Sequence, residues 1–122
     1  MKVLICQSTP DFGDVAANLS TVEHCCASAS MLGVDVAVFP EMFLTGYNLG
    51  NKVAELAEAV DGPSVKRLSE IARQSRIAIV TGFAERRDGE FYNSAVAIST
   101  SGAVLAHHNK VFLFGEAEKQ LY

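Results

Sequence analysis

The chain switches hydrophobic period twice within its first 39 residues, and that switch narrows the possible folds more than any other feature. Residues 2–7 form a short apolar run suited to a buried strand. From Asp14, placed as an N-cap, apolar residues recur at Val15, Leu19, Val22, Cys26 and Ala29. This 4-3-4-3 spacing marks one face of a helix, and Gly33 stands where a helix C-terminal glycine belongs. The segment Val34–Phe39 is β-branched and mostly apolar, a second strand. Strands joined through a helix pair in parallel, and parallel strands are expected to be buried on both faces.

The rest of the chain extends the pattern. After a loop over 40–51, a weak helical stretch covers Lys52–Val60, and Pro63 suits the first position of a helix that puts Val65, Leu68, Ile71 and Ala72 on one side. Ile77–Ala84 reads as a strand, Asp88-Gly89 as a hairpin turn, Phe91–Ile98 as the returning strand, and Ser101-Gly102 turns into Ala103–His108. The expected order is βαβ(α)αβββ, an α/β fold with a mixed sheet and helices on one face. At 122 residues this is one domain with one core, without an internal repeat or interdomain linker.

Bulk properties exclude several partners. With a net charge of -4 and dispersed Lys and Arg, no nucleic-acid footprint or polybasic membrane patch is visible. No segment approaches the ~20 apolar residues of a spanning helix. The opening run ends at the polar Gln7-Ser8-Thr9-Pro10, too early for a signal-peptide core. The three cysteines, two of them adjacent, form no disulfide framework, so a cytoplasmic protein is expected. The sequon Asn18-Leu19-Ser20 falls inside the first helix and carries no weight. A metal site is not expected. His24, Cys25 and Cys26 are consecutive on a helix, where neighbours point about 100° apart, and His107 and His108 point to opposite faces of a strand. No glycine-rich turn follows the first strand, which excludes a dinucleotide-binding βαβ unit, and no cofactor is expected.

Three charged residues remain for chemistry. In parallel α/β sheets, ligands sit beyond the carboxyl ends of strands, and Pro40-Glu41 falls there. Position alone favours reading Glu41 as a solvated loop carboxylate, since many loop glutamates follow strands without a chemical role. Lys110 follows the last strand and precedes Val-Phe-Leu-Phe, unusual company for a solvated charge, although lysine stems do cover apolar surface. Glu118 follows eight residues later.

The stretch FPEMFLTGYNLG, residues 39–50, resembles the glutamate motif of the nitrilase superfamily, the carbon-nitrogen hydrolases. HNKVFLFGEAEKQLY is similar to that family's lysine motif with its trailing second glutamate, and DGPSVKRL and TGFAER fit the pattern between them. Two motifs in order, about 70 residues apart, are more specific than either alone.

The resemblance implies an αββα sandwich and hydrolysis of non-peptide carbon-nitrogen bonds through a cysteine thioester. Glu41 would be the general base, its proton affinity raised by a semi-enclosed apolar loop. Lys110 would stabilise the oxyanion, Glu118 would orient the lysine or the substrate, and Tyr47 would line the pocket. The family's nucleophile lies beyond the lysine on a strand-to-helix turn, and none of Cys6, Cys25 and Cys26 fits that place. Residues 1–122 therefore resemble the N-terminal part of a single hydrolase domain that lacks the nucleophilic cysteine and is inactive alone.

His108-Asn109 stands where the family often carries an aromatic residue and an arginine, and Phe-Leu-Phe-Gly-Glu-Ala-Glu looks more like the amidase branches. A small-molecule amide is expected as substrate before a nitrile or an N-carbamoyl amino acid. The alternative is a non-catalytic half-domain that acts by association, since half of a two-sheet sandwich exposes an adhesive inner face and edge, and a homo-oligomer is expected.

Overall fold

A computed structural model describes all 122 residues. Five strands form one mixed sheet in sequential order: β1 (Val3–Ile5), β2 (Val36–Val38), β3 (Ala78–Arg87), β4 (Glu90–Ile98) and β5 (Val104–Asn109). The first three are parallel and the last two antiparallel. The helices are α1 (Val15–Ser30), α2 (Val53–Leu56) after a 3-10 turn at Gly50–Lys52, α3 (Pro63–Ser75) and α4 (Gly115–Leu121).

Strand order decides where the long helices go. The crossovers β1-α1-β2 and β2-α3-β3 advance the sheet in the same direction, and parallel crossovers are right-handed, so α1 and α3 fall on one face. There they bury Val22, Cys26 and Ala29 with Val65, Leu68, Ile71 and Ala72, against Ala37, Ile79, Phe83, Val96 and Ile98 of the sheet. Local signals set the helix ends. The Asp14 carboxylate accepts from the Ala17 amide at 2.9 Å, and Gly33 takes a φ of +67°. Pro63 opens α3, and because Gly62 has no capping side chain, Glu58 receives the Ser64 amide and hydroxyl instead. Asp88 and Gly89 both have positive φ, +54° and +87°, the turn a right-twisted two-residue hairpin needs.

Three expectations are corrected. The helical stretch over 52–60 shrinks to α2, because Ala57 turns extended and Glu58 bridges to Glu85 beside the sheet. A short helix, α4, forms after β5. The parallel strands are not buried on both faces: both long helices take the same side. In-register pairs place Val3, Ile5, Val36, Val38 and Val80 on the other side, where Val3 and Ile5 are 46% and 69% exposed.

That second face is covered only at one end. Met42, Leu49, Val53, Ala57 and Ala84 form a smaller buried cluster there, with Tyr47, Leu121 and Tyr122 packed against it. Asn18, reached by the sequon, is buried in α1 and tied to Asp11 and to the Leu44 carbonyl. No helix is long and apolar enough to cross a membrane.

Candidate active site

Glu41 stands where the chain leaves β2 and crosses the open face of the sheet. Phe39 is still paired, its amide donating to Val80 O at 2.8 Å, and the chain then passes over Gly82. A Cβ at Gly82 would lie 2.3 Å from the Met42 nitrogen and 3.0 Å from Glu41 Cα, so only glycine lets the loop come this close. The loop closes on itself through Gly46 N to Met42 O at 2.7 Å, with Met42 at a φ of +54°. Met42, Phe43, Leu44 and Thr45 are buried, and this packing holds Glu41 at the loop's rim. The enclosure expected for Glu41 is only half met. Its neighbours are enclosed, but the Glu41 side chain is 46% exposed because it points out over the uncovered sheet face.

Lys110 arrives from the far side of the sheet. Its amide donates to Asn93 O at 2.8 Å as β5 ends, and strand alternation turns its side chain to the same face as Glu41. The Lys110 ammonium donates to Glu41 Oε1 at 2.7 Å and to Glu118 Oε1 at 3.1 Å. Glu118 is buried in α4, and its other oxygen accepts the amide of Phe114, the residue that caps α4. Tyr47 lines the same corner, with the lysine nitrogen 5.9 Å from its ring centre. The four residues singled out in the sequence thus converge within one corner of the molecule.

A fifth residue completes the arrangement. Asn93 of β4 donates to Glu41 Oε1 at 2.6 Å and to Glu118 Oε1 at 2.8 Å, so one amide and one ammonium join the same two carboxylates. Asn93 was legible only as part of a strand. Its signal was a lone amide on a strand face otherwise occupied by Phe91, Ala95 and Ala97. Beside these groups lies an open cavity of about 230 Å³, lined by Pro40, Glu41, Gly82, Asn93, His108 and Lys110.

The electrostatics follow from this packing. The hydrogen bond from Lys110 to Glu41, aided by Glu118, outweighs burial and raises the Lys110 pKa above 10.5. Burial pushes the Glu118 carboxyl up, but the Phe114 amide, Lys110 and Asn93 overcome it and leave the group below its ordinary value. Burial, and then the Glu118 carboxylate, raise Tyr47. Tyr122 is pushed up to about 12 by burial and by the Glu118 charge. The site is therefore a protonated lysine held between the Glu41 and Glu118 side chains, beside a cavity.

A second polar cluster sits on the helix-covered side of the same strands. Glu85, 1% exposed, accepts from Ser94 Oγ at 2.7 Å, His107 Nε2 at 2.7 Å and Asn109 Nδ2 at 2.6 Å, all on one carboxylate oxygen. Burial raises the Glu85 pKa, but these donors outweigh it and leave it below the ordinary value. The cluster joins β3, β4 and β5 directly before Lys110.

The family model for carbon-nitrogen hydrolases matches residues 2–122. The chain belongs to the carbon-nitrogen hydrolase family. It is 40% identical to a Pseudomonas protegens protein named "Hydrolase in pqqF 5'region", over all of this chain and 43% of that one. It is 36% identical to an (R)-stereoselective amidase of a Pseudomonas species, over 88% of this chain and 39% of that protein. A nitrilase of Pyrococcus abyssi is 33% identical, over 93% and 44% of the two chains. Among solved structures, an amidase from Nesterenkonia sp. superposes over the whole chain and 47% of its own, with a TM-score of 0.89 and 28% identity. A variant of that amidase was solved with butyramide, and another shows acrylamide added at the active site cysteine. The chain thus spans less than half the length of these relatives.

Proposed function

We propose that this chain supplies the base and the oxyanion-stabilising lysine of a thiol-dependent amidase, and that the thiol comes from outside residues 1–122. The supporting observation is the Lys110 ammonium held between the Glu41 and Glu118 carboxylates beside an open cavity. Glu41 is the more accessible of the two carboxylates, which supports it as the group that takes a thiol proton and then activates water. Glu118, buried and anchored to the α4 cap, holds the lysine in place. The lysine, kept protonated, meets the negative oxygen that forms when a thiolate adds to an amide carbonyl. That intermediate expels the amine, and water hydrolyses the thioester.

An amide is favoured over a nitrile because two of the similar proteins are amidases and one binds butyramide. Cys6, Cys25 and Cys26 belong to the opposite, helix-covered side of the sheet and are not candidates for the nucleophile. The uncovered apolar face fits the resemblance to a two-sheet sandwich, whose second sheet would close over the cavity. It also supports a second reading, in which the chain acts by association through that face.

Three measurements test the proposal. The 122-residue chain should release no ammonia from short aliphatic amides, and turnover that survives replacement of all three cysteines by serine would rule out a thiol mechanism. Reading the codons after Tyr122 should reveal an open frame with a cysteine after a further strand, whereas a stop codon would favour association. In the polypeptide of that frame, Glu41→Gln and Lys110→Met should each lower kcat/KM on the order of 10³-fold. Activity near that of the parent in either variant would remove that residue from the mechanism.

A further inference from the structure

Two thiols face each other on the helix-covered side of the sheet, and amide hydrolysis gives them no task. Cys6 directly follows the edge strand β1, held by its amide to Val38 O at 2.9 Å. Cys25 sits midway along α1. Their sulfurs are 3.8 Å apart, and Ser8 Oγ lies 3.4 Å from Cys6 Sγ. Both residues are partly exposed, and they border an open, mostly apolar pocket of about 460 Å³ together with Leu4, Leu32 and Val34. A small reagent can reach them.

Their neighbour is different. Cys26 is fully buried in the core, and burial pushes its thiol up to about 12. One position further along the helix, it points about 100° away from Cys25.

We propose that Cys6 and Cys25 form an oxidation site, which a peroxide converts into an intramolecular disulfide that ties the end of β1 to the middle of α1. The sulfurs, already in contact at 3.8 Å, close to the bond length of about 2 Å in the bridge. The Cys6 thiolate attacks one peroxide oxygen, the O–O bond breaks, and hydroxide leaves and takes up the thiol's proton as water. The sulfenic sulfur is then attacked by Cys25, the S–O bond breaks and a second water leaves. Two thiols have lost two electrons and two protons, and one hydrogen peroxide has become two waters. Cys25 is the resolving partner because burial, and then Cys6 beside it, raise its thiol and slow its own attack on peroxide. The bridge closes a loop of 19 residues and secures a three-residue edge strand. It depends on neither Glu41 nor Lys110, so its outcome is independent of the proposed amidase chemistry.

The test uses the purified chain and hydrogen peroxide at mildly alkaline pH. After oxidation and denaturation, Ellman's reagent should find one of the three thiols, and the intact mass should fall by two hydrogen atoms. Tandem mass spectrometry of the folded chain should assign the bridge to Cys6 and Cys25, while oxidation in guanidinium chloride should divide it between Cys25 and Cys26. Cys26→Ser should still form the bridge; Cys6→Ser and Cys25→Ser should not. Circular dichroism melting should show a higher midpoint in the oxidised chain, reversed by dithiothreitol. Three thiols surviving peroxide, or a Cys6–Cys26 bridge as abundant in the folded chain as in denaturant, would overturn the proposal.

Discussion

Lys110 carries most of the site's electrostatic load, because it neutralises a carboxylate that has almost no access to water. Glu118 is 4% exposed and Lys110 28%, whereas Glu41 remains half in solvent. Removing one member of a buried pair costs about 3–5 kcal/mol, and the partial exposure of Lys110 reduces this. Lys110→Met should therefore destabilise the chain by about 1–3 kcal/mol in urea unfolding at neutral pH. The pH dependence has a definite sign. Lys110 has a raised pKa in the folded chain, so its contribution is complete below the ordinary value of 10.5 and is lost as pH rises beyond it. Glu118 and Glu85 have lowered pKa values, so theirs is present above the carboxylate range and disappears as pH falls through it. Acid titration of the parent should lower the urea midpoint below about pH 4, and Glu85→Gln should flatten that limb. In Lys110→Met the difference from the parent should shrink in acid, as Glu118 gains a proton. An unchanged difference would mean that Glu118 does not depend on the lysine. The sequence made Glu41, Lys110 and Glu118 legible because each stands at a motif position. Asn93 and Glu85 looked like ordinary strand residues, since only the pairing of β3, β4 and β5 shows what each faces.

At the level of elements, the loop after β2 and the strand beneath it act as one unit. Leu44 N donates to Gly82 O at 3.1 Å and Gly82 N to Pro40 O at 3.3 Å, so the loop is bonded to β3 on both sides of the close approach. Gly82→Ala would drive a methyl into the Met42 backbone, where no flexible side chain can move aside. The expected cost is about 1–3 kcal/mol or more, the usual cost of overpacking, and it should be accompanied by displaced amide resonances at Glu41 and Met42. Gly89→Ala is the control: a Cβ there meets nothing within 4 Å, and the only penalty is its positive φ. If Gly82→Ala left the loop resonances in place, the close approach would not determine where Glu41 sits. Helices α1 and α3 were legible from spacing and caps. The seven residues of α4 were not, because they lack an apolar stripe and no side chain caps them from Phe114. Its stabilising contact is Glu118 reaching back to the Phe114 amide, a detail of the fold and not of the pattern. The second helical stretch is shorter than its residue pattern suggests for a related reason: Glu58 has local freedom to be helical but is drawn out to Glu85 and Ser64.

For the whole molecule, the decisive asymmetry lies between the two faces of the sheet. Both long helices cover one face, and the other presents Val3, Ile5, Val36, Val38 and Val80 with cover only at the site end. Contiguous apolar surface of this kind drives association, and β1 and β5 add unpaired edges at the two ends of the sheet. The length comparison points the same way, because the chain spans 43% of one similar hydrolase and 47% of an amidase whose fold it shares. The purified chain should therefore sediment as a dimer or larger at micromolar concentration. Ile5→Lys and Val3→Lys together should shift it toward monomer with little loss of folding stability, since both positions are already open to solvent. The same two substitutions leave the Glu41, Lys110 and Glu118 cluster untouched, so loss of association with an unchanged acid titration would identify the open face as the adhesive surface. Equal sedimentation of parent and variant as monomers would mean that the exposed apolar row is too small to hold two copies together, and would count against the association reading.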